Sequence, residues 1–425
     1  MKIIVLGAGI IGVTTAYFLS SAGHEVFVID KAKSPGLAAS FANGGQLSYC
    51  YTDSLANPDL LRQLPKLLRG QEPFFDLKLS YEPALWFWGL RFLRNCTKKR
   101  AIFNSENILR LALYSRQMLH QILTLHSIEF SYQQNGKLLL YTNEAAFKAT
   151  TPYVNTKNQQ GCQQQFWNAQ TCLAKEPTLQ HLASQIAGGI FSPIDESGDS
   201  YQFTRALAER CIASSGVHFL YDTEIIGLDV KKGRIHRVKT VDESYSADAF
   251  VICLGAESSL ISQTIGIKLP IYPLKGYSIS VPITAGTPSI NITDMHHKMV
   301  YSRLGNQLRI AGLLEMCGYD TSIDETKVQY LVKIAQASFP EAGDYSQVTS
   351  WAGLRAGTPD SAPLLGWTRY PNLYLNTGHG MFGWTLACGS AAIVADIINE
   401  TSSAIDLTGL TMRRFCTFPG KDLNT

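Results

Sequence analysis

The sequence predicts a mixed α/β (α+β) fold, with a Rossmann-like dinucleotide-binding domain built from discontinuous pieces and an antiparallel-sheet domain inserted in it. Three observations carry this expectation. "GAGIIG" at residues 7–12 sits between an apolar β-branched run and an apolar helix. A second strand, glycine turn and helix recur near the other end, around "NTGHGMFGWT" at 376–385. Between them, the middle of the chain alternates polar and apolar residues as antiparallel strands do.

The first unit is read in order. "KIIVL" (2–6) is a short buried strand, "IGVTTAYFLSSA" (11–22) a helix, and "EVFVI" (25–29) a second strand ending at Asp30. Gly7, Gly9 and Gly12 have the G-x-G-x-x-G spacing of a phosphate-binding βαβ turn. Gly7 makes the tight turn, Gly9 lets backbone approach a pyrophosphate, and Gly12 lets helix pack on strand. The helix N-terminus around Ile10 and Ile11 offers N–H groups and a positive dipole end to phosphates. Asp30 is placed to accept from a ribose hydroxyl, with Lys31 beside it, and an acid there argues against a 2′-phosphate.

Residues 51–110 read as loop and helix, and 106–127 as a helix. "GKLLLYT" (136–142) reads as a strand. Residues 188–216 read as strand, loop, and a helix from about Thr204. Residues 217–240 alternate like antiparallel strands with a turn at Lys232–Gly233, and 245–258 return to the nucleotide sheet through a glycine turn at Gly255. The stretches 269–281, 298–315 and 348–366 read as further strands. Residues 384–400 read as a small-residue helix with its N-terminus at Trp384 and Thr385. The expected division is 1–50, 199–268 and 346–425 for the nucleotide domain, with 51–198 and 269–345 for the inserted one.

Composition excludes several classes. At 425 residues the chain is long enough for two domains. Its nine cysteines are odd in number and hold no C-x-x-C pair, which suits a reducing cytosol and neither a disulfide framework nor a metal site. A net charge of +3 gives no reason to expect a nucleic-acid partner. Three glycines interrupt the N-terminal apolar run, so it reads as the βαβ unit and not as a secretory signal. No window of 18 uninterrupted apolar residues predicts a membrane span.

A nicotinamide enzyme needs only one glycine turn; a longer cofactor would occupy both. The G-x-G-x-x-G with Asp30, "SFANGGQLS" (40–48), "DESGDSYQFT" (195–204), "PLKGYS" (273–278), "GLRAGTPDSAPLLG" (353–366) and "NTGHGMFGWTLACGS" (376–390) occur in that order along essentially the whole chain. Together they resemble the bacterial D-amino-acid dehydrogenases, flavoproteins of the D-amino-acid oxidase and glycine oxidase superfamily. The resemblance implies non-covalent FAD lying across both turns, so that the nucleotide domain is an FAD-binding domain and the inserted one a substrate domain. It implies oxidation of a D-amino acid to an imino acid that hydrolyses to a 2-oxo acid and ammonia.

By this resemblance Gly7, Gly9, Ile10, Ile11, Gly12, Asp30 and Lys31 match the adenosine and pyrophosphate end. Ser40, Asn43, Gly44, Gly45 and Gln46 match a loop along the pyrophosphate and ribityl chain. Ile225 and Gly255 border the adenosine end, and Gly380, Met381, Gly383, Trp384 and Thr385 match the flavin end. A helix N-terminus there would stabilise the negative charge that hydride transfer leaves near N1 and the C2 carbonyl of the flavin. Arg355 matches an arginine that clamps the substrate carboxylate, a task suited to its planar fork; the other reading pairs it with an acid such as Asp360. The proline that follows it in the family is Ala356 here. Tyr277 and Tyr301, with Arg303, are expected near the substrate. Tyr277 would donate to the carboxylate, shape the side-chain pocket, or simply pack.

His379 is expected to fix its turn or bond the flavin, since hydride transfer depends on orientation and not on a base. Some relatives attach flavin through a cysteine where this chain has Gly353, which excludes that linkage, and Cys317 and Cys388 read as inert. No metal is expected. Residues 62–100 hold nine Lys or Arg against three Asp or Glu, and "LWFWGLRFLR" (85–94) is a basic aromatic stretch. With the resemblance, this suggests a cytoplasmic protein in peripheral contact with the cytoplasmic face of the inner membrane, passing electrons to a quinone or other respiratory acceptor. The alternatives are a D-hydroxyproline or secondary-amine dehydrogenase, an oxygen-using D-amino-acid or glycine oxidase, an NAD enzyme using only the first turn, and a flavin-binding regulator without catalysis.

Overall fold

The computed structural model describes residues 1–69, 74–78, 81–214 and 216–415. A six-stranded sheet runs in the order Leu364–Trp367, Leu373–Thr377, Ala249–Ile252, Lys2–Leu6, Glu25–Ile29 and Val217–Leu220. All its pairs are parallel except the first two strands. The N-terminal strand is apolar along its length, and Ile3 to Leu6 are fully buried, as a strand covered on both faces must be. The residues 217–220, expected as part of an antiparallel pair, instead pair parallel with Glu25–Ile29 and extend this sheet. The hairpin expected after them forms: Ile225–Lys231 pairs Arg234–Thr240 around Lys232 and Gly233, both at positive φ.

Helices Ile10–Ser21 and Gly383–Ile398, with Ser200–Ala213, cover one face. Ile10–Ser21 begins directly after Gly9, and Gly383–Ile398 carries 14 buried residues. Leu386, Ile393 and Val394 are fully buried, each worth about 1.5–3 kcal/mol by transfer from water. The segment Gly380–Ile398 has the length and apolarity of a membrane span, where the sequence predicts none; 83% of it is buried in the fold, so core packing accounts for its composition. Helix Lys98–Leu125 crosses it closely. A Cβ on Gly389 would come within 2.8 Å of the Ser115 backbone, and the Ser115 hydroxyl accepts from the Gly389 N–H. This long helix was expected in the inserted domain. Its Ile108, Leu111 and Ala112 pack in the core of the six-stranded sheet.

A nine-stranded mixed sheet forms the second layer. Its path is Thr349–Gly357, Tyr272–Pro282, Gln307–Met316, Met299–Leu304, Asn291–Asp294, Lys137–Tyr141, Gly188–Ser192 and Gln165–Asn168, with Phe75–Leu77 added beside Gln307–Met316. The strand 349–357, which sequence division placed with the nucleotide pieces, pairs Tyr272–Pro282 in this sheet. Helix Glu325–Ser338 packs on one face, burying Val328, Leu331 and Ala335 against Ile279, Ile310 and Tyr301. The opposite face looks toward the first domain.

Candidate active site

One cavity of about 1490 Å³ runs between the two glycine turns. It exceeds the ~300–1,000 Å³ typical of a small-ligand site, leaving room for a dinucleotide together with a small substrate.

At one end stand Gly7, Gly9, Ile10, Ile11, Asp30 and Lys31. Gly7 has φ +106°, and a Cβ there would strike the Cys253 carbonyl, so only glycine fits the turn. A Cβ on Gly12 would overlap the Gly7 carbonyl oxygen; Gly12 lies behind the cavity, where it lets the helix meet the strand. Gly9 differs, because a Cβ there would meet only the Ser40 hydroxyl at 3.5 Å and otherwise project into cavity space. The Ser40 hydroxyl accepts from the Ile10 N–H at 3.0 Å, which ties the 40–46 loop to the helix N-terminus. The Asp30 carboxylate accepts from the Ala8 and Ala32 N–H groups at 2.6 and 2.8 Å. This fixes its orientation and leaves lone pairs for a ribose hydroxyl. Lys31 pairs with Glu257 at 2.7 Å, a half-exposed contact worth little in stability. Ile225 and Gly255 line this end.

The middle wall is the loop at 43–48. The Asn43 side chain accepts from Gly45 N–H and donates to Ser200, while Arg309 donates to the Asn43 carbonyl. Gly44 and Gly45 press against Val300 and Leu304, with no space for side chains. Gln46 donates to the Ile292 and Tyr301 carbonyls, fixing the loop on the nine-stranded sheet.

At the other end, Gly380, Met381, Gly383, Trp384 and Thr385 line the cavity. The Trp384 indole donates to the Gly198 carbonyl, and the Thr385 hydroxyl accepts from Ser48 N–H at 3.0 Å. His379 is 4% exposed and shares a hydrogen bond with Ser390. Burial lowers its pKa to about 3, so it is neutral at physiological pH. Cys388 is buried and its thiol pushed up by burial, as an inert cysteine should be.

Arg355 faces the cavity from the strand 349–357. Its Nη1 donates to the Leu313 carbonyl at 3.3 Å, and among the described residues its guanidinium forms no ion pair. Burial lowers its pKa to about 10, leaving it charged at neutral pH. The pairing with Asp360 is not made; Arg414 holds Asp360 at 2.6 Å. Tyr277 also lines the cavity, but its hydroxyl donates to Glu315 at 2.7 Å, so its one proton is already used there. Tyr301 does not reach the cavity. It is fully buried on the opposite face, edge-on to Phe339. Two lining residues, Lys137 and Trp351, were not singled out from sequence. Among the described residues no His, Cys, Asp and Glu cluster could hold a metal ion.

Residues 2–397 match the family described as FAD dependent oxidoreductase. The chain is 43% identical over 421 residues to a D-amino acid dehydrogenase of Paramagnetospirillum magneticum, covering 98% of this chain and 100% of that one. It is 36% identical over 417 residues to a D-amino acid dehydrogenase of Chromohalobacter salexigens, with 98% and 100% covered. Among solved structures, glycine oxidase from Geobacillus kaustophilus aligns at TM-score 0.76 and 21% identity, covering 98% of this chain and 100% of that one. L-proline dehydrogenase from P. horikoshii aligns at TM-score 0.75 and 21% identity, with 97% of each covered. At these identities the structural likeness speaks for the fold.

Proposed function

The chain belongs to the FAD-dependent oxidoreductases, and from that premise we propose that it oxidatively deaminates D-amino acids, with Arg355 as the substrate-carboxylate clamp. The residues at both ends of the cavity fit FAD: the Gly9 notch and Asp30 at the adenosine end, and the first turn of Gly383–Ile398 at the ring end. FAD, when bound, accepts the hydride from the substrate Cα.

The observation that carries this reading is the Arg355 guanidinium facing the cavity with no ion pair among the described residues. A charged group held there with no counter-ion among the described residues is suited to a carboxylate ligand, which it can bind through two parallel hydrogen bonds. With the carboxylate fixed, the substrate Cα is oriented and the amine, once neutral, can release its electrons into the forming C=N bond. The imino acid that leaves then hydrolyses to a 2-oxo acid and ammonia. His379, neutral and bonded to Ser390, holds its turn and takes no proton.

The electron acceptor in this proposal is a membrane quinone, reached by docking on an anionic membrane. Helix Pro83–Asn95 supports this part. It buries Leu85, Trp88 and Phe92, and exposes Trp86, Phe87, Leu90 and Leu93. Arg91, Arg94, Lys98, Lys99 and Arg100 lie on or beside it, all exposed. An exposed aromatic stripe next to a basic cluster suits an anionic headgroup region. Residues 70–73, 79 and 80 of the basic segment lie outside the described residues.

Anaerobic mixing of the flavin-loaded protein with D- and L-alanine tests the substrate. Bleaching by the D-isomer with ammonia release is expected. Bleaching by the L-isomer alone, or by neither, overturns it, and a stronger response to D-hydroxyproline would favour a secondary-amine dehydrogenase. Hydrogen peroxide formed as fast as quinone is reduced would make the protein an oxidase.

A further inference from the structure

Lys137 opens the buried strand Lys137–Tyr141 and lines the cavity. It is 2% exposed. Its Nζ donates to the Ser48 hydroxyl at 2.8 Å and stands 4.6 Å from the centroid of the Tyr51 ring. Among the described residues it forms no ion pair. The buried acid facing it is Asp195, whose Oδ1 accepts from Cys50 N–H and whose Oδ2 has no hydrogen-bond partner among the described residues. The other charged or titratable groups around it are Cys50 and the Lys157–Asp53 pair, which is closed on itself at 2.9 Å. A buried ammonium with no salt bridge is costly, and it lies against the space a charged ligand would fill.

Its position gives that charge a direction. Ser48, which holds the ammonium, also donates its N–H to the Thr385 hydroxyl in the first turn of Gly383–Ile398. Lys137 is therefore two hydrogen bonds from the helix end assigned to the flavin ring.

We propose that Lys137 is a positioning residue for the cofactor's charge: held by Ser48, its ammonium stabilises the negative charge that FAD gains on reduction and so raises the midpoint potential. FAD takes up a hydride, which is two electrons and one proton, and thereby gains one negative charge. Lys137 gives up no proton in this step. The proposal rests on the functional reading only in placing the flavin ring at the Thr385 end. Burial lowers the Lys137 pKa to about 8, with Asp195 opposing that shift, so the charge fades as pH rises through 8.

The test is the two-electron midpoint potential of bound flavin, measured anaerobically against reference dyes from pH 6 to 10. Lys137→Met should weaken the hold on reduced relative to oxidised flavin at least tenfold, a fall of about 30 mV. Lys137→Arg should restore it. Asp195→Asn, which removes the acid that supports the ammonium, should move the pH at which the potential inflects below the wild-type value near 8. The wild type should show an inflection near pH 8 that Lys137→Met lacks. A ratio within twofold of wild type in Lys137→Met overturns the proposal. If that variant does not bind flavin, Ser48→Ala and Asp195→Asn decide, and no shift in either overturns it. No amino acid enters this measurement. A shifted potential without D-alanine reduction would sink only the substrate reading, and D-alanine reduction with an unshifted potential would sink only this one.

Discussion

The guanidinium of Arg355 fills the space that a Cβ on Gly276 would occupy. Gly276 and Gly353 are directly paired across two strands, and Arg355 pairs two residues further along with Leu274. A Cβ on Gly353 would likewise strike the Trp351 ring. The two paired glycines thus form a shallow trough that leaves room for the Arg355 guanidinium and the Trp351 ring. Gly276→Ala should push the guanidinium, the mobile end of a long side chain, away from its place. The stability cost should be about 1 kcal/mol or less, because no backbone is displaced. KM for D-alanine should rise about tenfold, the cost of one weakened charge-assisted contact. Steady-state dye reduction beside thermal unfolding checks this, and an unchanged KM would mean that the trough does not set the clamp.

Arg355→Lys should retain FAD and fold normally, since among the described residues Arg355 has only the Leu313 carbonyl as a hydrogen-bond partner. Losing a bidentate contact should cost about 2–3 kcal/mol, roughly a 30- to 150-fold drop in kcat/KM. A variant within twofold of wild type would remove Arg355 from the clamp role.

How far these features could be read from sequence depends on whether the signal is local. The βαβ turn was legible because Gly7, Gly9 and Gly12 fall at fixed spacing between strand and helix. Tyr301 was misplaced because a strand's two faces look alike in sequence. Ser278, Ala311 and Val300 share the cavity face, whereas Ile279, Ile310 and Tyr301 share the face under helix Glu325–Ser338. Lys137 at the head of "KLLLY" looks like a solvated strand end, and only tertiary packing buries it. Gly276 looked like part of a motif, and its reason, room for Arg355, exists only across strands. Helix Lys98–Leu125 follows inserted-domain sequence but packs on the C-terminal helix, which no local pattern reveals.

The glycines of the first turn should separate by mechanism. Gly12→Ala places a methyl on the Gly7 carbonyl, a backbone atom that cannot yield, so insoluble or apo-protein is expected. Gly9→Ala meets nothing but Ser40 Oγ at ordinary contact distance, so the apo fold should survive with little change in melting temperature. Its methyl would instead enter the cavity and weaken FAD binding, by at least tenfold if the pyrophosphate passes there. Flavin content and FAD titration of the two variants distinguish the outcomes. Normal FAD affinity in Gly9→Ala would contradict the assignment of this turn.

His379 gives a pH prediction whose sign follows from its burial. Its folded pKa of about 3 lies below the unfolded value near 6.5, so the unfolded chain binds more protons between those limits. Its contribution to stability is complete above about pH 6.5 and falls away as pH drops toward 3. His379→Asn should flatten the decline of stability across that window, measured by denaturant unfolding at several pH values. The same variant should keep every inflection of the kcat/KM profile, because a neutral His379 titrates nowhere near neutrality. Loss of an inflection between pH 6 and 8 would show that His379 exchanges a proton in turnover.

The exposed stripe on helix Pro83–Asn95 is an arrangement that a freely solvated surface does not require. Trp86 and Phe87 are 54% and 68% exposed, and Leu90 is 57% exposed, on a helix whose other face already buries Trp88 and Phe92 in the core. The sequence left open whether its aromatic residues pack inward or face outward, and the helix does both. Burying three such side chains in a headgroup region gains about 1.5–3 kcal/mol each at most, and the neighbouring cations add about 1 kcal/mol apiece near an anionic surface. The protein should therefore co-sediment with vesicles containing anionic lipid at low salt, and lose most of that binding at high salt, where charges are screened. Trp86→Ser with Phe87→Ser and Leu90→Ser should lower vesicle binding at least tenfold while leaving dye reduction by D-alanine intact, because none of the three lines the cavity. The same triple variant should lose activity toward a quinone embedded in the vesicles and keep activity toward a soluble dye. Equal binding to neutral and anionic vesicles, or unchanged quinone reduction by the variant, would count against this face as the route to the membrane.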